Sequence, residues 1–248
     1  MSDANKSVLT GIQEQQGATF MQDGDWYWTV NLGDPQAEYE AIRTGVSLWD
    51  VYALQKWEVT GPDAVAAISR VFTNNVATLA VGQVRYGAFV DDDGLMIDDG
   101  TVYKLADDHY WVMVNSDVFG DEITAASPQA DIEVTHRTHQ MPVISVQGPG
   151  SRQMLQSLTD ADLGDEAFAF ADSREIDLGH IFVRATRISY VGELGWELLV
   201  PTESAVHVHQ RLVLASLEQG RGALVHAGYY ALNSLRLEKA YRLSLIHI

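Results

Sequence analysis

Two carboxylates, Glu193 and Glu197, stand four residues apart in the run Tyr190-Val-Gly-Glu-Leu-Gly-Trp-Glu-Leu-Leu-Val-Pro201. An ionised carboxylate inside an apolar strand needs a partner, because an unpaired buried charge is very costly. A cation of the protein can supply that partner, or a ligand presenting N–H donors can. A second acidic pair, Asp98 and Asp99, ends the apolar run Leu95-Met96-Ile97 and precedes Gly100. Adjacent strand residues face opposite ways, so at most one of the two points into a given site. Taken alone the pair reads as a turn cap, with catalysis as the other reading. His136 and His139 are three apart, and His207 and His209 two apart. On a helix the latter pair points roughly 200° apart, so the two cannot chelate together. They read as surface histidines, and no metal is expected.

The elements that must position these carboxylates are readable from spacing. Strand character surrounds both glutamates, at Ile181 to Tyr190 before them and at Glu197 to Val200 after, with Gly192 and Gly195 as punctuation. Pro35 to Thr44 has a helical pattern with Pro in its first turn and Tyr39 and Ile42 on one face. Trp57 to Thr60 alternates like a strand, runs into Gly61-Pro62-Asp63, and a helix follows with Ile68 and Val71 at helical spacing. Val84 to Val90 and Met96 to Leu105 flank Asp91-Asp-Asp-Gly94, a hairpin signal. Tyr110 to Val114 and Ile132 to Thr135 read as strands, with a helix over Phe119 to Ala126. The pattern then restarts: a strand at Val143 to Val146, Gly148-Pro149, and a helix from Ser151. Two copies of strand, Gly-Pro turn and helix imply a weak internal duplication and two α+β lobes. Thr202 to Leu217 reads as an amphipathic helix with Val206, Val213 and Leu217 on one stripe. Residues 227–242 read as a second helix.

Composition narrows the function classes. The chain has 248 residues, 46% of them hydrophobic, which is a globular composition. Its net charge of −18 argues against nucleic acid and against docking on anionic lipid. There is no cysteine, which excludes a thiolate nucleophile, iron–sulfur ligation and disulfides. No apolar run approaches a membrane span and the N-terminus has no signal-peptide pattern, so a cytoplasmic protein is the default expectation. Leu243-Ser-Leu-Ile-His-Ile248 is an abrupt apolar stop that matches the translation of a sequencing-library adaptor. It is expected to be a non-native tail, with the natural chain continuing beyond Arg242.

Several strings occur together in a recognisable order: Gly61-Pro-Asp-Ala64, Gly94-Leu-Met-Ile-Asp-Asp99, Val114-Asn115, Gln147-Gly-Pro149, the Tyr190–Pro201 run, and Ser234-Leu-Arg-Leu-Glu-Lys-Ala-Tyr-Arg242. With their mutual spacing they resemble the aminomethyltransferase family, that is, the glycine-cleavage T-protein and related tetrahydrofolate-dependent demethylases. The resemblance runs from about Tyr39 to Arg242. It implies an α+β fold of two duplicated-looking lobes with mostly antiparallel sheets and a C-terminal β-barrel domain missing from this chain. The implied division is an inserted α+β lobe at 55–137 and a discontinuous folate-binding lobe at 1–54 and 138–242, with 243–248 as the tail.

The resemblance also implies a function. The cofactor would be tetrahydrofolate, and the reaction a one-carbon (aminomethyl or methyl) transfer from a small methylated amine, sulfonium or aryl ether donor. By resemblance the catalytic residue is Asp99, and the cofactor-binding residues are Tyr86, Tyr103, Asn115, Tyr190, Glu197 and Tyr241. Glu197 is the pterin-binding carboxylate, and Glu193 is left as a turn residue. A pterin edge offers adjacent N–H donors that a carboxylate accepts in parallel. A lipoyl carrier protein is the implied partner if the chain is T-protein-like. A non-catalytic folate-binding module is the reading from another class, but the branch linked to iron–sulfur maturation uses a cysteine that this chain lacks. Leu232 stands where the T-protein has a folate-contacting arginine. Ala231 to Lys239 is more similar to the folate domains of sarcosine- and dimethylglycine-oxidising enzymes.

Overall fold

Two Gly-Pro turns set the plan of the chain. Gly61 takes φ +124° and Gly148 φ +123°, a region that L side chains rarely adopt. A Cβ at Gly61 would lie 2.3 Å from the carbonyl oxygen of Asp131, and one at Gly148 would lie 2.4 Å from that of Gly45. In both copies a strand therefore ends against a neighbouring backbone, and glycine alone permits the approach.

The computed structural model describes residues 4–218 and 224–241. The expected non-native tail 243–248, and Arg242 of the last motif, lie outside the described residues. In chain order the elements are α1 (Thr10–Gln15), β1 (Thr19–Asp23), β2 (Trp26–Asn31), α2 (Pro35–Thr44), β3 (Ser47–Asp50), β4 (Gln55–Thr60) and α3 (Ala64–Val71). There follow β5 (Val84–Val90), β6 (Met96–Ala106), β7 (His109–Val114), α4 (Phe119–Ala126), β8 (Glu133–His136), β9 (Val143–Gln147) and α5 (Ser151–Gln156). The last are β10 (Ser173–Asp177), β11 (Phe182–Thr186), β12 (Gly195–Leu199), α6 (Thr202–Glu218), β13 (Val225–His226) and α7 (Tyr229–Glu238).

These elements form two compact units, an α+β arrangement of mostly antiparallel sheets. One comprises Met1–Ala53, Gln140–Phe170 and Arg174–Tyr241, and the other Leu54–His139 with Ala171–Ser173. The first holds a six-stranded sheet in the order β10-β11-β12-β9-β3-β13, and the second a five-stranded sheet in the order β5-β6-β7-β4-β8. The duplication is visible in these orders. β4, the Gly61 turn and α3 lead into three strands whose last, β7, pairs back on β4. Likewise β9, the Gly148 turn and α5 lead into three strands whose last, β12, pairs back on β9.

Each sheet buries one apolar face. In the first unit Leu48, Ile144, Val146, Ala185, Trp196 and Leu198 pack with residues of α5 and α6. In the second, Val59, Phe89, Val102 and Val112 pack against α3 and α4. The helix over Pro35–Thr44 starts as its sequence implies, because Asp34 caps it by accepting from the backbone N–H groups of Gln36 and Ala37. Among the described residues no helix is long and apolar enough to cross a membrane.

Three local expectations need correction. Ile188 and Tyr190 are not in a strand: β11 ends at Thr186, and residues 190–194 form bends. Gly192, at φ +73°, turns the chain there, which β-propensity in the flanking residues does not reveal. The buried stripe of α6 is Ala205, Val208, Leu212 and Ala215, whereas Leu217 is 54% exposed. Ala205, Val208, Leu212 and Ala215 share the buried core of this unit with Trp196 and Leu198. His209 is not a surface residue: it is buried, with Nε2 2.6 Å from Nε2 of His226 on β13.

Candidate active site

In the second unit the two aspartates of β6 lie in the middle of a hydrogen-bond cluster, and both are 7% exposed. Strand pairing sets Asp99 opposite Ala88 and Tyr86 opposite Thr101, so Tyr86 and Asp99 are diagonal neighbours on one face. The Tyr86 hydroxyl donates to Asp99 Oδ2 at 2.5 Å, and the Asn115 amide donates to Asp99 Oδ1 at 3.2 Å. Burial pushes the Asp99 carboxyl above its ordinary range, and the neighbouring charge of Asp98 adds to the rise, while the bonds from Tyr86 and Asn115 pull against it.

Asp98 serves the same cluster in another way. Its Oδ2 accepts from the backbone N–H of Asn115 at 3.2 Å and of Ser116 at 2.8 Å, and its Oδ1 accepts from the Asn115 amide at 3.0 Å. It ties down the end of β7 and orients Asn115. The pleat alternates along β6, yet Asn115 leaves the strand end at a point where one amide reaches both carboxylates. A register shift between Phe89 and Val90 makes Ile97 an extra residue just before the pair, a bulge of the kind that re-aims side chains. Neither the role of Asp98 nor the bulge is signalled by spacing.

Tyr86 is 56% exposed, so it presents a ring to solvent while its hydroxyl holds Asp99. Tyr103 is fully buried on β6, opposite Val84 and Trp111. It lies on the face of β6 away from Val102, a residue of the unit's core.

In the first unit the bends at 190–194 dock on the end of α7. The rings of Tyr190 and Tyr241 stack with centroids 5.8 Å apart and planes 22° from parallel. A Cβ at Gly192 would lie 2.2 Å from the Lys239 side chain, which packs over that turn. Arg43 of α2 pairs with Glu193 and with Glu238 of α7, and the Tyr39 hydroxyl donates to Glu238 Oε1 at 2.8 Å. A hydrogen bond with Tyr39, then the bond to Glu193 and the charges of both glutamates, push the Arg43 guanidinium further above its ordinary value. Glu193 is thus an ion-pair anchor with a protein cation as its partner and not merely a turn residue. Sequence spacing carries no sign of this, since its members lie at 43, 193 and 238.

Glu197 occupies a different setting. On β12 it pairs across to Thr186 and to Ser145, while Gly195 pairs to Gln147. β3 adds Ser47 opposite Gln147 and Trp49 opposite Ser145. These registers put Ser47, Trp49, Ser145, Gln147, Thr186, Gly195 and Glu197 on the sheet face opposite the apolar core. Ser47, Ser145, Gln147 and Thr186 are all buried, and Glu197 is part-buried. Gln147 Nε2 donates to Ser145 Oγ at 2.7 Å, but its Oε1 is buried and meets no donor among the described residues. Trp49 on this face packs with Ile42, Val191, Ala227, Ala231 and Leu235, while Ser47 and Ser145 are hydrogen-bonded to Trp49 and Gln147. The Gln147 oxygen stands out beside them, because a buried polar atom is ordinarily bonded. Among the described residues no group of three His, Asp or Glu side chains could hold a metal ion.

A family model described as the GCVT N-terminal domain matches residues 9–245. The chain belongs to this aminomethyltransferase family. It is 32% identical over 236 residues to an aminomethyltransferase of Anoxybacillus flavithermus, covering 94% of this chain and 64% of that relative. It is also 30% identical to the sarcosine oxidase subunit alpha of Rhizobium meliloti, over 95% of this chain and 25% of that protein. Among solved structures, the glycine cleavage system aminomethyltransferase T from Bartonella henselae superposes with a TM-score of 0.83 at 24% identity, over 96% of this chain and 63% of that one. This chain of the GCVT family thus spans a little under two thirds of the length of the aminomethyltransferases it matches, and the likeness in structure is one of fold.

Proposed function

We propose that the protein is a tetrahydrofolate-dependent one-carbon transferase that takes an aminomethyl or methyl group from a small methylated amine. The observation that carries this reading is Asp99, a buried carboxylate with a raised pKa, gripped by an exposed tyrosine and an asparagine. Such perturbed and deliberately held carboxylates cluster at functional sites. The residues present fit the cofactor. Glu197 offers two acceptor oxygens to adjacent N–H donors on a face that also carries the unsatisfied Gln147 Oε1, and the stacked Tyr190 and Tyr241 offer flat apolar surface.

Tetrahydrofolate when bound supplies the amine nitrogens that accept the carbon unit. The protein's own part is positioning and electrostatics. Glu197 fixes the orientation of the heterocycle. Asp99 stabilises positive charge developing at the reacting nitrogens, and its raised pKa brings a proton on its carboxyl closer to working pH. Tyr86 and Asn115 hold the carboxylate in one rotamer, and Asp98 holds Asn115. The chain has no cysteine nucleophile, and this chemistry requires none.

Isothermal titration with tetrahydrofolate tests the binding half, and Glu197→Gln should weaken affinity by about tenfold or more. Asp99→Asn should bind within about tenfold of wild type yet lose about 10²- to 10³-fold in turnover, the cost of removing one preorganised charge-stabilising group. Equal turnover in that variant would refute the assigned role. The second reading, a glycine-cleavage aminomethyltransferase with a lipoyl carrier protein as partner, is favoured by the names of the aminomethyltransferase relatives. Turnover with aminomethylated lipoyl carrier but not with sarcosine would select it over the demethylase reading that the sarcosine oxidase likeness supports. Sulfonium and aryl ether donors are the remaining alternatives to an amine, and a substrate panel separates them.

A further inference from the structure

Gln147 is the best-defined unexplained group in the first unit. It is 2% exposed at the end of β9, and its Oε1 is sealed from solvent without a donor among the described residues. A buried acceptor left without a donor is costly, so native proteins rarely keep one without a use for it. Its position is also enforced. A Cβ at Gly195, directly across the ladder, would fall 1.9 Å from Oε1, so a glycine there is what lets the amide lie over the neighbouring strand. Nε2 is occupied by Ser145 Oγ at 2.7 Å, with Ile188 O at 3.4 Å, and this orients the amide with its oxygen as the open end.

Across that same face, Ser145 pairs with Glu197, one step along the ladder from the Gln147–Gly195 pair. Gln147 and Glu197 are therefore diagonal neighbours on one sheet face, one acceptor neutral and the other charged. We propose that Gln147 is a further ligand-positioning and specificity residue, whose Oε1 accepts a hydrogen bond from another N–H of the heterocycle that Glu197 holds. This rests on the folate reading above. The pair of acceptors selects a heterocycle with at least three N–H bonds along neighbouring edges, and it rejects flat aromatic ligands that lack the third. Discrimination arises because Oε1, already sealed from solvent, gains a donor only from a ligand that carries the third N–H.

The test uses Gln147→Met, similar in size but without the acceptor, and Gln147→Glu, which keeps an acceptor and drops the Nε2 donor. Tetrahydrofolate affinity by calorimetry should fall about tenfold in the Met variant, the loss of one hydrogen bond to a buried partner. Gln147→Met also removes the Nε2 bond to Ser145 Oγ, so its ligand-free melting temperature is compared with that of the Glu variant, which loses the same donor. The Glu variant should bind more tightly than the Met variant. Affinity within twofold of wild type in the Met variant overturns the proposal, as does equal loss in the two variants. In wild-type protein labelled with 13C at glutamine side-chain carbonyls, one resonance should move on saturation with tetrahydrofolate, and an unchanged spectrum overturns the proposal without any variant. Failure of wild type to bind tetrahydrofolate would instead remove the folate reading itself, and this inference with it.

Discussion

At the scale of single residues, the cluster around Asp99 holds a carboxylate where burial disfavours its charge. Its carboxyl is raised above the ordinary range mainly by burial, so the ionised form is disfavoured in the fold and a neutral side chain would sit there more comfortably. Asp99→Asn is therefore expected to melt at or above the wild-type temperature at pH 7 while losing turnover, a pattern typical of functional sites. A drop of several degrees in a thermal melt would mean that Asp99 is structural. Asp98→Asn should behave oppositely. It weakens the acceptor that two backbone N–H groups and the Asn115 amide share, so it should cost about 1–3 kcal/mol in urea unfolding. Glu197 and Asp99 could be singled out from sequence because they sit in long motifs. Asp98, Glu193 and Gln147 could not be assigned, because what each does depends on an atom brought in from elsewhere in the chain.

At the scale of elements, the Gly-Pro turns that suggested a duplication are the joints on which each sheet closes. Gly148→Ala forces a side chain into φ +123° and a Cβ to 2.4 Å from a backbone oxygen. It should destabilise by about 2–4 kcal/mol, visible as a lower urea midpoint. A second element-level feature is the contact of α6 with β13 through His209 and His226. Burial lowers both imidazoles, His226 to about 4, with the charge of His209 adding to its shift. An unfolded histidine titrates near 6.5, so the unfolded chain takes up the proton first. The stability that this pair contributes is complete above about pH 6.5 and is lost as pH falls from there toward about 4. Thermal melts of wild type against His226→Gln at pH 7.5 and 5 should show a smaller loss for the variant. Equal losses would show that the pair does not govern acid sensitivity.

At the scale of the whole molecule, acidity sets the long-range electrostatics. A net charge of −18 on 248 residues repels itself, and salt screens that repulsion, since the Debye length shrinks from about 10 Å at 0.1 M to about 3 Å at 1 M. The melting temperature should therefore rise as KCl is raised from about 0.1 M to about 1 M. A melting temperature that falls over this range would mean that the ion pairs of Arg43 and the other cations outweigh the surplus of acid.

The sequence by itself determined the composition class, the hairpin at Asp91 to Gly94, the helix Pro35–Thr44, the strand and Gly-Pro turn repeat, and the family. All of these are local patterns or fixed spacings, and backbone preference and side-chain periodicity act over a few residues. Only the tertiary structure decided which way α6 turns, that residues 190–194 bend instead of extending, that His209 is buried, and which cation partners which carboxylate. Those outcomes are set by what packs against each segment. The partners of Glu193 and Glu197 are of this kind. Glu193 meets Arg43 from 150 positions away, while Glu197 lies on a polar sheet face whose members come from four strands. Their spacing of four residues contains neither fact.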